Sequence, residues 1–84
     1  MSSSIDEAKQ LLSNISQDNS VPRNIRKCAE DIILKLEKED QSLPVRLNSC
    51  ISLLDDMSND PNVPAYVRPV MWRIAGLLEV PPEK

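Results

Sequence analysis

An internal repeat with an offset of 42 residues limits the folds that this chain can adopt. Residues 11–22 reappear as residues 53–64, and each copy ends in Val-Pro. The correspondence continues beyond the proline, where Ile32 pairs with Ile74 and Leu36 with Leu78. Helix-pair repeats of about 40 residues also build solenoids, but these usually need at least three copies, and only two fit in 84 residues. The repeat therefore favours two similar helical hairpins in a closed bundle.

Hydrophobic residues at helical spacing predict four helices, two in each repeat. The helices are expected at about residues 4–17, 22–38, 43–58 and 64–79. The first begins with a Ser-x-x-Glu capping box at Ser4, and prolines mark the starts of the other three. Short connections force neighbouring helices to run antiparallel. We therefore predict an all-α protein, a four-helix up-and-down bundle that forms one domain over residues 1–84.

Pro69 interrupts the pattern of the fourth helix. It would remove the hydrogen bond to the carbonyl of Ala65, so we expect a kink or an irregular first turn there. The same helix should end before Pro81 and Pro82, because proline cannot continue a helix.

The composition restricts the classes of function that are open to the chain. Hydrophobic residues make up 40% and charged residues 27% of the sequence, which is ordinary for a globular protein. The formal net charge of -3, without long blocks of either sign, disfavours nucleic acid as a partner. No stretch approaches the roughly 18 to 20 apolar residues of a membrane span, and the N-terminus lacks a signal-peptide pattern. We therefore expect a cytoplasmic protein that does not bind a membrane.

No pattern of residues indicates catalysis or cofactor binding. The chain has no His, the commonest general base, and its single Gly cannot form a phosphate-binding glycine loop. Asp55, Asp56 and Asp60 lack the alternating ligands, central Gly and closing Glu of a calcium loop, so we interpret them as a solvated helix end. We expect no enzyme activity, no cofactor and no metal.

Two cysteines, Cys28 and Cys50, lie at core positions of the second and third helices. If these helices fold back near residue 41, Cys50 faces residue 32 rather than Cys28. The axial offset is roughly 6 Å at 1.5 Å per residue, which with the interhelical spacing puts the pair beyond disulfide reach. We therefore interpret both as reduced thiols that pack as small hydrophobes.

Matching residues surround the two Val-Pro sequences. They are Asp18, Pro22 and Arg26 in the first repeat, and Asp60, Pro64 and Arg68 in the second. The pattern favours a structural turn in which carboxylate and guanidinium groups satisfy backbone atoms. The alternative is a pair of related recognition corners, since loops on a rigid scaffold often carry binding residues.

Trp72 is the strongest candidate for a binding residue. It projects about 100° away from Met71, off the apolar stripe of the fourth helix, on the side of Arg68 and Gly76. A glycine inside a helix costs about 1 kcal/mol relative to alanine, so Gly76 suggests a close helix approach. That approach could lie within the bundle, with Trp72 closing over the first helix, or in an interface that contains Trp72, Arg68 and Gly76.

Three segments resemble a known family. They are Asp18–Arg26, which reads Asp-x-x-Val-Pro-x-x-Ile-Arg, the stretch Val45–Asp55, and Ser58–Pro64. Together they are similar to uncharacterised protein family 0147 of archaea over nearly the whole chain. The resemblance implies a small four-helix bundle of an archaeal cytoplasm, and it brings no assigned reaction, cofactor or partner.

Two functions from different classes follow from these observations. The first is a non-enzymatic interaction module that binds another protein, or a second copy of itself to form a homodimer. The second is a nucleic-acid- or ribosome-associated accessory protein that uses Arg23, Arg26 and Lys27 at the start of the second helix. An enzyme ranks below both.

Overall fold

A computed structural model describes residues 4–38 and 40–79. Within these two ranges all regular secondary structure is α-helical. The helices are α1 (Ser4–Ser16), α2 (Arg23–Glu37), α3 (Leu43–Ser58) and α4 (Arg68–Leu78). The prediction of an all-α chain with four helices is confirmed.

Each helix packs against two neighbours, so the four helices form a closed ring. The packed pairs are α1 with α2, α2 with α3, α3 with α4, and α1 with α4. Lys9 in the middle of α1 lies 3.8 Å from Glu37 at the end of α2. Arg73 of α4 pairs with Glu7 near the start of α1, whereas Tyr66 just before α4 bonds to Asp18 just after α1. Neighbouring helices therefore run antiparallel, as the predicted up-and-down bundle requires.

The buried core consists of one set of positions that occurs twice. Every buried residue in the described ranges has a buried counterpart 42 positions away. The pairs are Ala8 and Cys50, Leu12 and Leu54, Ile15 and Met57, Val21 and Val63, Ile25 and Val67, Ala29 and Met71, Ile32 and Ile74, and Leu36 and Leu78. We call two residues 42 positions apart repeat mates. The core is aliphatic, and each large side chain that it buries contributes about 1.5–3 kcal/mol to stability.

The thiols of the two cysteines define the register between α2 and α3. Cys50 Sγ donates to the carbonyl of Ile32 at 3.7 Å, and Cys28 Sγ donates to the carbonyl of Leu53 at 3.8 Å. The predicted position of Cys50 opposite residue 32 is confirmed. Both cysteines are free, with Cys50 buried and Cys28 half-buried.

The fourth helix begins later than the sequence pattern indicates. Residues 64–67 form a turn in which the Val67 N–H donates to the Pro64 carbonyl at 3.0 Å, and α4 begins at Arg68 instead of near residue 64. The reason is Pro69, which is tolerated in the first turn of a helix, where its missing N–H has no intrahelical partner. The expected irregularity at Pro69 is thus an irregular first turn and not a kink.

The other helix ends lie close to their predicted positions. α1 begins at Ser4, and α2 begins at Arg23 with Pro22 as its N-cap. Differences of one residue at helix ends are ordinary, because helix termini fray. α4 ends at Leu78, whereas Pro81 and Pro82 lie outside the described residues.

Candidate interaction surface

The two Val-Pro turns lie at the same end of the bundle and have the same internal hydrogen bonds. Asp18 Oδ1 accepts the Ser20 N–H at 2.9 Å, and Asp60 Oδ1 accepts the Asn62 N–H at 2.8 Å. Such bonds between an aspartate and the backbone two residues on are typical of Asx turns. The carboxylates predicted to satisfy backbone groups therefore do so in both repeats.

Reciprocal hydrogen bonds join the two turns. Asn24 Nδ2 donates to Asp60 Oδ2 at 2.8 Å, and Tyr66 Oη donates to Asp18 Oδ2 at 2.6 Å. Asn24 and Tyr66 are repeat mates, so each hairpin reaches across to the aspartate of the other. Sequence reasoning missed this pair, although the offset of 42 residues aligns the two polar side chains.

The Tyr66 bond shifts the ionisation of both groups. The phenol and the Ser20 N–H stabilise the carboxylate of Asp18 and hold its pKa below the ordinary value. The same bond to the anionic carboxylate raises the pKa of Tyr66, because ionised tyrosine would lose a donor and gain a like charge. Tyr66 is exposed and Asp18 is half-buried, so the hydrogen bond that causes both pKa shifts lies at the protein surface.

The two arginines of the turns differ in their partners. Arg68 is half-buried, and its guanidinium donates to the carbonyls of Ser58 at 2.8 Å and Asp60 at 3.3 Å. Its repeat mate Arg26 is also half-buried, but its buried Nε atom has no hydrogen-bond partner. Arg68 therefore extends to the end of α3. The predicted interface of Trp72, Arg68 and Gly76 thus keeps only Trp72 and Gly76 as exposed members.

The basic residues at the start of α2 do not form one exposed patch. Arg23 and Lys27 are exposed, but Lys27 lies 3.9 Å from Asp31, and Arg26 is half-buried. Within residues 4–38 and 40–79, no three Cys, Asp or Glu side chains are placed to hold a metal ion. Among Asp55, Asp56 and Asp60, the side chain of Asp60 accepts the backbone N–H of Asn62.

The outer side of α4 exposes an indole beside a glycine. Trp72 is 69% exposed, so the interpretation that it closes the bundle over α1 is wrong. The pair formed by Arg73 and Glu7 lies between α4 and α1 instead. A Cβ atom added at Gly76 would meet nothing within 4 Å, so this glycine does not serve a close helix contact inside the bundle. Pro69, one turn before Trp72, is also exposed.

We refer to Pro69, Trp72 and Gly76 together as the α4 surface. At helical spacing these residues lie along one side, at positions i, i+3 and i+7. Their repeat mates on α2 are Lys27, Glu30 and Leu34, which are all exposed. The α2 side therefore presents two charges and one leucine, where the α4 side presents an apolar strip with a large aromatic group.

This difference is informative because the two hairpins bury matching positions. Because α2 and α4 bury matching positions, their outer sides have equivalent places in the fold. On α2 that outer side carries the charged residues Lys27 and Glu30. Packing within the bundle therefore does not require a tryptophan at position 72. An exposed aromatic group that the fold does not require is a candidate for binding.

The chain matches the sequence profile described as "Uncharacterised protein family (UPF0147)" over residues 1–80. The chain belongs to this family. It is 46% identical over 74 residues to the UPF0147 protein Ta0600 of Thermoplasma acidophilum, a match that covers 88% of this chain and 84% of that protein. It is 43% identical over 74 residues to a UPF0147 protein of Methanothermobacter thermautotrophicus, covering 88% and 72% of the two chains.

Two crystal structures are similar to this UPF0147 chain. A family member from Thermoplasma acidophilum superposes with a TM-score of 0.86 at 45% identity, covering 90% of this chain and 89% of that chain. The protein MMP1188, described as of unknown function, gives a TM-score of 0.89 at 38% identity, covering 95% and 91%. The resemblance inferred from the three segments is confirmed.

UPF0147 has no assigned function, so family membership supplies the fold and no activity. In the described residues, no helix is both long and apolar enough to cross a membrane. The α4 surface of this chain has no apolar aromatic counterpart on α2, where Glu30 stands at the position that matches Trp72.

Proposed function

We propose that this UPF0147 protein is a non-enzymatic, cytoplasmic interaction module that binds a protein partner through the α4 surface. The observation that carries the proposal is the exposed indole of Trp72, 69% accessible to solvent on a rigid helix. Tryptophan is enriched among the residues that dominate binding energy, because it buries a large apolar area at little conformational cost.

The neighbours of Trp72 suit a binding surface. Gly76 has no side chain and leaves the helix backbone uncovered, so a partner can approach closely beside the indole. Arg73 and Glu79 are exposed next to this strip and provide a charged margin. A central apolar group within a polar rim is the usual arrangement of a protein–protein interface.

Leu34, a second exposed apolar residue, offers less. Leu34 of α2 borders a shallow, largely apolar groove with Leu53, but three of the five residues that line it, Asp31, Lys35 and Lys38, carry charged groups. Charged groups are depleted at the centres of interfaces, since their desolvation opposes binding. The α4 surface is therefore the better supported of the two.

Affinity purification from the native cytoplasm tests the proposal, with nuclease-treated and untreated samples in parallel. The variants are Trp72→Glu, which introduces the residue type of the repeat mate, and Glu30→Gln on α2 as the matched control. We expect a protein partner that survives nuclease, is lost with Trp72→Glu and is retained with Glu30→Gln. Circular dichroism confirms that each variant is folded.

Two results would contradict the proposal. Equal recovery of the partner with Trp72→Glu would show that the α4 surface does not bind it. Loss of every partner after nuclease treatment would favour the nucleic-acid-associated function instead.

A further inference from the structure

We propose that the occupant of the α4 surface is a second copy of this chain, with the two α4 helices packed antiparallel about a two-fold axis. The inference rests on the proposed function, whose surface it uses, and adds the identity and geometry of the partner. Three features of α4 bear on this arrangement: the spacing of a projecting group and a gap favours it, the distribution of charge sets its direction, and the length of the helix limits its strength.

The first feature is the spacing of Trp72 and Gly76. They lie one turn apart on the same side of α4, so a projecting indole is followed directly by an uncovered stretch of backbone. In an antiparallel pair with residue 72 opposite residue 76 of the second copy, the two-fold axis also places residue 76 opposite residue 72. The two-fold rotation therefore places the indole of each copy beside Gly76 of the other copy. This is the self-complementarity that a two-fold interface requires.

The second feature is the distribution of charge along α4. Arg68 and Arg73 already have partners within the chain, in the carbonyls of Ser58 and Asp60 and in Glu7, whereas Glu79 is exposed just after the C-terminal end of α4. The antiparallel register brings Glu79 opposite Pro69 of the second copy and so keeps the two Glu79 carboxylates at opposite ends of the contact. A parallel pair would instead place the two Glu79 carboxylates together and Trp72 against Trp72. The separation of these like charges therefore favours the antiparallel arrangement.

The third feature is the size of the contact. α4 has 11 residues, which corresponds to a length of about 16 Å. One helix side of this length buries less than the roughly 1,200 Å² at the lower limit of standard interfaces, so the association should be weak and reversible. We expect a dimer that dissociates at micromolar concentration.

Sedimentation equilibrium of the purified full chain between about 1 and 500 µM tests this inference. The variants are Trp72→Glu and Gly76→Leu, each of which introduces the residue type of its repeat mate. The controls are Glu30→Gln and Leu34→Ala on α2. We expect each α4 variant to weaken dimerisation at least tenfold and each control to change it less than twofold. Circular dichroism melting verifies folding of every variant.

Gly76→Leu is the decisive variant, because it keeps the indole and fills the gap. Trp72 is the single tryptophan of the chain, so its fluorescence gives an independent signal. Its emission should shift to shorter wavelength as the wild-type concentration rises, and should not shift in Gly76→Leu.

The following outcomes would overturn the inference. They are a chain that remains monomeric at 500 µM, a dimer that tolerates Trp72→Glu, and a dimer that tolerates Gly76→Leu. A monomeric chain that still captures a different protein in a Trp72-dependent manner would discard the dimer and leave the proposed function intact. A chain that neither dimerises nor captures another protein in a Trp72-dependent manner would contradict both proposals.

Discussion

Tyr66 donates a 2.6 Å hydrogen bond to the carboxylate of Asp18, 48 residues earlier in the chain. Its repeat mate Asn24 makes the corresponding bond to Asp60 across 36 residues, so the two hairpins bind one another reciprocally. Each aspartate also orders its own turn through a backbone N–H. These contacts connect the loops at one end of the bundle, where the aliphatic core ends, and they fix how the two hairpins meet.

The contribution of the Tyr66 bond should depend on pH. The pKa of Asp18 is lowered on folding, so its stabilisation is present above the unfolded value near 4 and is lost as the pH falls through the lower folded value. The pKa of Tyr66 is raised, so its stabilisation is present below about 10 and is lost as the pH rises further. Tyr66→Phe should therefore destabilise the protein modestly at neutral pH and less at both extremes.

Urea unfolding of the wild type and Tyr66→Phe from pH 3 to pH 10.5 measures this difference. Asn24→Ala is the matched control, since it removes the corresponding bond on the other hairpin without removing the phenol. A difference between wild type and Tyr66→Phe that stays constant over the whole range would show that the bond to Asp18 contributes nothing.

The two turn arginines should differ in their effect on stability. Arg68→Gln removes two charge-assisted hydrogen bonds to carbonyls at the end of α3, where a cation also interacts favourably with the helix dipole. Because Arg68 is half-buried, we expect a loss of about 1–3 kcal/mol in the free energy of unfolding.

Arg26→Gln is the matched comparison at the repeat mate. Its buried Nε atom has no partner in the wild type, so its removal should cost less, about 1 kcal/mol or below. Chemical denaturation of both variants checks the order. Equal losses would mean that the Arg68 bonds do not contribute measurably.

The two thiols should react at very different rates. Burial raises the pKa of both Cys28 and Cys50, and thiolate is the reactive form. Asp31 and Asp56 raise the pKa of Cys28 further, whereas Lys35 and Arg46 partly oppose the effect on Cys50. Accessibility decides the order, because Cys50 is fully buried and Cys28 is half-buried.

Iodoacetamide labelling at pH 8, followed by mass spectrometry, measures these rates. We expect Cys28 to react more slowly than free cysteine, and Cys50 to react only when the protein unfolds. The Cys28→Ser variant isolates the signal of Cys50. Rapid labelling of Cys50 in the native protein would contradict its position in the core.

The helices and the core were predictable because their pattern is local and occurs twice. Positions such as Ile32 and Ile74 repeat at one offset, and each satisfies the helical period within its own segment. The late start of α4 was less predictable, since Pro64 and Pro69 both permit a helix start nearby. In the structure α4 begins at Arg68, next to Pro69, because a helix that began at Pro64 would place Pro69 beyond the first turn.

The contacts at the turns could not be predicted from periodicity. The bonds of Asn24 and Tyr66 depend on the relative placement of two loops that are distant in sequence. The direction of Arg68 depends on where α3 ends, and that end is set by the second turn. The exposure of Trp72 depended on which side of α4 the neighbouring helices cover, a question that its position off the apolar stripe left open.

Gly76 separates stability from binding, and Gly76→Ala should change the two in opposite directions. The added methyl group meets nothing within 4 Å, and alanine is favoured over glycine in a helix by about 1 kcal/mol. Near the end of α4 we expect a gain of about 0.5–1 kcal/mol in the free energy of unfolding.

The same methyl group partly fills the gap beside Trp72, so dimerisation should weaken while the monomer becomes more stable. Thermal melting at low concentration and sedimentation at high concentration measure the two effects on one sample. A variant that is less stable than the wild type would show that Gly76 is needed by the fold, and would remove the reason for assigning it to an interface.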